Sequence, residues 1–83
     1  MNICFIQGYL MEDVNYNFVL SGKNDAIATF TIKVKGDTVA HVIAYNEEAD
    51  FCYRKLKKDD MVLIMGKIDS YCNILLKKFY KIV

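Results

Sequence analysis

A chain of 83 residues is enough for one domain, and with 25% charged residues it belongs with folded proteins rather than disordered ones. A net charge of +1 lacks the bulk positive charge of a strongly basic nucleic-acid binder and leaves only a local patch for that purpose. No apolar run approaches the ~18 residues of a membrane span, and no leader pattern follows Met1, so a cytoplasmic protein without a membrane partner is expected.

Residues 2–10 open as a strand. Cys4, Ile6, Gly8 and Leu10 share one parity and Ile3, Phe5, Gln7 and Tyr9 the other. Both parities are largely apolar near the start, which predicts a strand covered on both sides. Gly8 within it predicts a bend or bulge. Residues 11–15 read as a turn, 16–20 as a short extended return, and 21–25 as the clearest loop.

Residues 26–46 read as a hairpin. Ala28, Phe30, Ile32 and Val34 alternate with Thr29, Thr31, Lys33 and Lys35. Lys35-Gly36-Asp37 turns the chain, and Ala40, Val42 and Ala44 then alternate with Val39, His41, Ile43 and Tyr45. Period-two alternation marks half-buried strands with one face on a core. The other face mixes threonines, lysines, a histidine and a tyrosine, an unusual composition for a merely solvated surface.

Asn46 is positioned to cap a helix of about a dozen residues, because its side-chain oxygen can accept an orphan backbone N–H. Glu47, Glu48 and Asp50 lie at the positive end of the helix dipole, and Arg54, Lys55 and Lys57 at the negative end. Ala49, Cys52, Tyr53 and Leu56 share one face and predict a plug over the core, while Phe51 lies off that face. Lys58-Asp59-Asp60 ends the helix, with Asp59 suited to a left-handed conformation. Residues 61–65 form an apolar strand that Gly66 interrupts, 67–69 continue it, and Ser70 turns. Residues 71–83 form the last strand, with Cys72, Ile74, Leu76, Lys78 and Tyr80 on one parity.

Cys4, Cys52 and Cys72 are odd in number and widely spaced, with no CxxC pair. They read as buried free thiols in a reducing compartment, not as zinc ligands. A hydrophobic content of 54% is high for this size and points to apolar surface that meets another subunit or a ligand. There is one histidine, with no Ser-His-Asp or Cys-His spacing and no phosphate-cradling glycine loop. No catalytic residue, cofactor, metal or small-molecule substrate is therefore expected.

The order is three strands, a helix and two strands in a single domain, 1–83. That order predicts an all-β fold: a five-stranded OB-fold Greek-key β-barrel with one α-helix between strands three and four. A barrel also removes most sheet edges, which suits a short β-rich chain.

The residues also resemble the OB-fold domain of the bacterial single-stranded-DNA-binding protein (SSB) family. Met1-Asn2 followed by Gly8-Tyr9-Leu10 resembles that family's opening. Ser21-Gly22 with 26–32, and Val42-Ile43-Ala44-Tyr45 with Ala49, resemble its second and third strands. The stretch 56–68 resembles the passage from its helix into strand four, and order and spacing agree from Met1 to about Asp69. There are departures. The family's long basic hairpin is reduced to Lys35-Gly36-Asp37, Val39 stands where a tryptophan is common, Asp59 replaces a glycine, and Val83 comes before the family's acidic-tipped tail.

The resemblance implies binding of single-stranded DNA, or RNA, without sequence preference, through stacking on aromatic rings and lysine contacts to phosphates, with affinity that falls as salt rises. It implies a homodimer or homotetramer acting in replication, recombination or repair. Tyr45 aligns with a base-stacking aromatic of the family. Lys33, Lys35 and Thr31 on the outer parity of strand two, His41 on strand three and Tyr9 on strand one join it as candidates. Tyr71 and Lys77, with Phe79, are candidates on the last hairpin, and Lys23 in the first loop is a further phosphate contact. Phe5 reads as stacking surface or subunit interface. The rival reading is an OB-fold protein–protein interaction module of a replication or conjugation assembly, which the near-neutral charge and short hairpin favour.

Overall fold

The computed structural model describes residues 2–19 and 25–82. The alternation of the central hairpin becomes strands β3 (Asp25–Lys33) and β4 (Val39–Tyr45), paired in register from Ile27–Tyr45 to Lys33–Val39. Ala26, Ala28, Phe30 and Ile32 of β3, with Val42 and Ala44 of β4, face the core. The turn between them closes with the Val34 N–H donating to the Thr38 carbonyl at 2.8 Å, and Gly36 supplies the positive φ of 84° it requires.

Strand β1 (Cys4–Leu10) pairs antiparallel with β5 (Met61–Ile68), and β5 pairs with β6 (Ile74–Ile82). Two junctions close the ring. β4 and β6 run parallel at Val42–Ile74 and Ile43–Leu75, and β1 crosses onto β3 at Tyr9–Lys33 and Leu10–Ile32. The result is the expected five-stranded OB-fold barrel. The crossing explains Gly8, because a Cβ there would collide with the Lys33 carbonyl.

The short return is a strand in its own right, β2 (Asn15–Val19), paired along the half of β3 that β1 leaves free. In chain order the helix α1 (Asn46–Lys55) therefore follows the fourth strand, not the third. β1 and β2 divide one edge of β3 and act as one stave, which is why five staves form the barrel.

The described core is wholly apolar, with Leu10, Phe30, Ile32, Val42, Val62 and Ile64 almost fully buried. Side chains of this kind each contribute ~1.5–3 kcal/mol on leaving water. Ala49 and Cys52 of α1, with Leu56 at its C-terminal cap, plug one mouth of the barrel as expected. Tyr53 stays largely exposed, with its ring centroid 4.9 Å from that of Tyr16 on β2. Asp59 adopts the expected left-handed conformation, with φ 75°.

Several expectations need correction. Asn46 is not the cap. It is the first helical residue, with φ 54°, and its Oδ1 accepts the Ala26 N–H at 3.2 Å, so the start of β3 claims the side chain. The cap position belongs to Tyr45, without a side-chain hydrogen bond, and the helix is ten residues long. The interruption expected at Gly66 is present: the strand continues to Ile68, and a bulge falls between the Gly66–Leu76 and Met65–Lys78 pairs and leaves Lys77 unpaired. The last strand starts at Ile74, because Asp69 organises 70–73 as a turn.

The extra residue also flips the parity beyond it. Phe79 packs on the core, and Lys78 and Tyr80 turn outward, against the expected pairing of Lys78 and Tyr80 with Ile74 and Leu76. Strand β1 is not covered on both sides by this chain, since Phe5 is 63% exposed. Of the thiols only Cys52 is buried. Cys4 is half-buried, and Cys72 is exposed in the turn.

Candidate nucleic-acid interface

The outward parity of β2, β3 and β4 forms one wall. Its rows follow from the register: Asn17–Ile27–Tyr45, then Asn15–Thr29–Ile43, then Thr31–His41, then Tyr9–Lys33–Val39. The six steps from Ile27 to Lys33 span ~20 Å at the usual strand rise. Tyr45 and Lys33 therefore share a wall and stand near its opposite ends, with Thr31 and His41 between them. Tyr45 is 45% exposed, enough to offer a ring face.

The wall also carries groups that sequence reasoning missed. Asn15 and Asn17 belong to it, and the Asn17 Nδ2 donates to the Asn15 Oδ1 at 3.4 Å. Half-buried Ile43 continues the apolar middle of the wall to Leu75 through the parallel β4–β6 junction. Glu12 accepts a hydrogen bond from the Thr31 hydroxyl at 3.3 Å, which sets one carboxylate over the middle of the track. Ile43 follows from the alternation of its strand, but no periodicity announces Asn15, Asn17 or Glu12. They arrive through the β2–β3 register and the crossing of β1, both long-range pairings.

Lys35 lies in the turn after β3 and, with Lys33, lines a cavity at the corner of the barrel. The remaining candidates lie apart from these. Tyr71, 83% exposed, stands in the β5–β6 turn. There the Asp69 carboxylate accepts the backbone N–H groups of Tyr71 and Asn73 at 2.8 and 2.9 Å. The bond from Asn73 is the main reason the Asp69 carboxyl is held below its ordinary range. Lys77, the bulged residue, borders a second cavity that also holds Glu47, Glu48 and Phe51. Two glutamates share that lining with Lys77, and the Phe51 ring carries the Arg54 guanidinium 5.3 Å from its centroid. Lys23 lies outside the described residues.

The outer parity of β1, β5 and β6 makes a second, different wall. Its rows are Phe5–Met65–Lys78, Gln7–Leu63–Tyr80 and Tyr9–Met61–Ile82. Phe5, Tyr9, Tyr80 and Ile82 are exposed on it. The Cys52 thiol inside the barrel is pushed up to about 12, first by burial and then by the Glu48 carboxylate, so it stays an unreactive core group. No described helix is long and apolar enough to cross a membrane.

No protein-family profile matches the chain, and no curated protein matches it in sequence. Solved structures do match in shape. The SSB domain of a Synechococcus sp. protein superposes with a TM-score of 0.87 at 15% identity, over 96% of this chain and 94% of that one. The wild-type single-stranded DNA binding protein from Thermus aquaticus superposes with a TM-score of 0.86 at 17% identity. A deletion mutant of the Thermus protein gives 0.85 at 17%. The whole of this chain is covered in both Thermus comparisons, but it spans only 41–42% of those chains. At such low identity the likeness establishes the fold: an OB barrel of the shape these domains share.

Proposed function

We propose that this protein binds single-stranded DNA without sequence preference, laying the strand along the β2–β3–β4 wall. One observation carries the reading. A barrel of the shape found in single-stranded DNA binding proteins turns Tyr45, His41, Thr31 and Lys33 outward on one continuous ~20 Å track. Tyr45 offers a stacking face at one end, and Lys33 a phosphate contact at the other. His41 and the wall's amides and hydroxyls offer hydrogen bonds between them. A non-specific binder needs no more than rings for bases and cations for the backbone. Nothing in this chemistry requires a cofactor, and the reading is of a binding protein rather than an enzyme.

The apolar β1–β5–β6 wall favours a homodimer or homotetramer, with a second copy covering the Phe5 end. It also supports the rival reading, in which the barrel is a protein–protein interaction module and that wall, not the polar one, is the working surface.

Titration of a fluorescein-labelled oligothymidylate at low salt, followed by anisotropy beside a mass measurement in solution, tests the reading. Saturable binding is expected, with a salt slope of roughly −1.5 to −2, because only two or three lysines can meet phosphates. An oligoribouridylate run in parallel decides between DNA and RNA. Folded protein that binds neither strand refutes the proposal and leaves the interaction module standing.

A further inference from the structure

The β3–β4 wall does not end at Lys33. The ladder row runs on from Val39 and Lys33 to Tyr9 and then Met61, across the seam where β1 closes the barrel. At that seam lies a cavity of about 610 Å³, within the usual range for a small-ligand site. Its lining includes Gln7, Gly8, Tyr9, Lys33, Lys35 and Met61.

We propose that this corner cavity seats one nucleotide of the bound strand and carries the strand off the polar wall toward β5. The proposal rests on the reading above and extends it.

Charge is the first argument. Two lysines and no carboxylate line the cavity. The smaller cavity beside α1, about 330 Å³, balances Lys77 and Lys78 with Glu47 and Glu48. Of the two cavities only the corner is complementary to a phosphate. Shape and polarity agree. The Tyr9 ring is 50% exposed and offers a stacking face, and the Met61 thioether is a polarizable neighbour for a base. The Gln7 Nε2 donates to the Met61 Sδ at 3.5 Å, and among the described residues the Gln7 side-chain Oε1 accepts no hydrogen bond. That oxygen can accept an N–H from a base edge. In the assignment that follows, the phosphate lies between Lys33 and Lys35, the base lies on Tyr9, and Gln7 meets the base edge.

The test is photochemical cross-linking of the intact protein to oligothymidylates of about four and about twelve nucleotides, each with one 5-iododeoxyuridine, followed by peptide mapping. The expected result is adducts at Tyr9 or Met61 with the longer strand, beside adducts at Tyr45 or His41 with both. Tyr9→Leu should weaken the longer strand by about fivefold to a hundredfold, the range of one lost stacking contact. Gln7→Leu, which removes only the base-edge contact, should also weaken the longer strand, and both variants should leave the shorter strand unchanged. Adducts confined to Tyr45 and His41, or equal weakening of both strands, overturn the corner site while single-strand binding survives. If neither strand binds wild-type protein, the functional reading fails first. A circular dichroism spectrum of each variant separates lost binding from lost folding.

Discussion

On the β2–β3–β4 wall the outward positions include Asn15, Asn17, Thr29, Thr31, Lys33 and His41 beside Ile27, Ile43 and Val39; on the β1–β5–β6 wall they include Phe5, Leu63, Met65, Tyr80 and Ile82 beside Gln7 and Lys78. Inward, the two walls are alike, with aliphatic and aromatic side chains packed into one apolar core. The contrast lies wholly on the outside. A barrel needs only one apolar parity per strand, so the second parity is free to carry function. One wall spends that freedom on hydrogen-bonding groups and cations, and the other on a contiguous apolar surface of the kind that marks interaction sites on soluble domains.

The seam between the walls is where the contrast can be broken most severely. Gly8→Ala puts a methyl group against the Lys33 backbone carbonyl, with no flexible side chain to yield. A loss of roughly 1–3 kcal/mol or more is expected in urea unfolding, the scale of overpacking in a tight core. An unchanged midpoint would mean that β1 does not seal the barrel there. Next in size is a matched pair, one ring from each wall. Tyr45→Ala should cost ~1–3 kcal/mol of oligothymidylate affinity and Tyr80→Ala nothing. Equal losses would erase the distinction between the walls, and a loss at Tyr80 alone would invert it. The smallest effect belongs to Glu12, whose carboxylate holds the Thr31 hydroxyl over the track. Glu12→Gln should tighten binding by about twofold to fivefold at low salt, and the gain should fade as salt screens the repulsion. A gain that persists at high salt would assign Glu12 a structural role instead.

Much of this was legible residue by residue. The run from Ala28 to Val34 against Thr29 to Lys35 shows which side of β3 is wet, and the structure keeps that assignment through the turn and along β4. The plug of Ala49, Cys52 and Leu56 was equally plain, because helical spacing collects them on one face. The last strand was not. Its alternation continues past Lys77 unchanged in sequence, yet the bulge there exchanges Phe79 for Tyr80 on the core side. Asn46 misled for a related reason, since its oxygen could serve its own helix or the start of β3, and the strand won. Of the candidate interface, Thr31, Lys33, His41 and Tyr45 emerged from the hairpin itself, while Asn15, Asn17 and Glu12 did not.

The sequence by itself determined the inside of the barrel, because the side-chain period of a strand is a property of consecutive residues and needs no partner. Only the tertiary structure decided how the ring closes: β1 crossing onto β3 at Gly8, β4 meeting β6 in parallel, and Lys77 bulging out of the β5–β6 ladder. Those choices set which outward groups become neighbours. They depend on pairings between strands far apart in the chain, whose register is fixed by the fit of the whole barrel rather than by any local pattern.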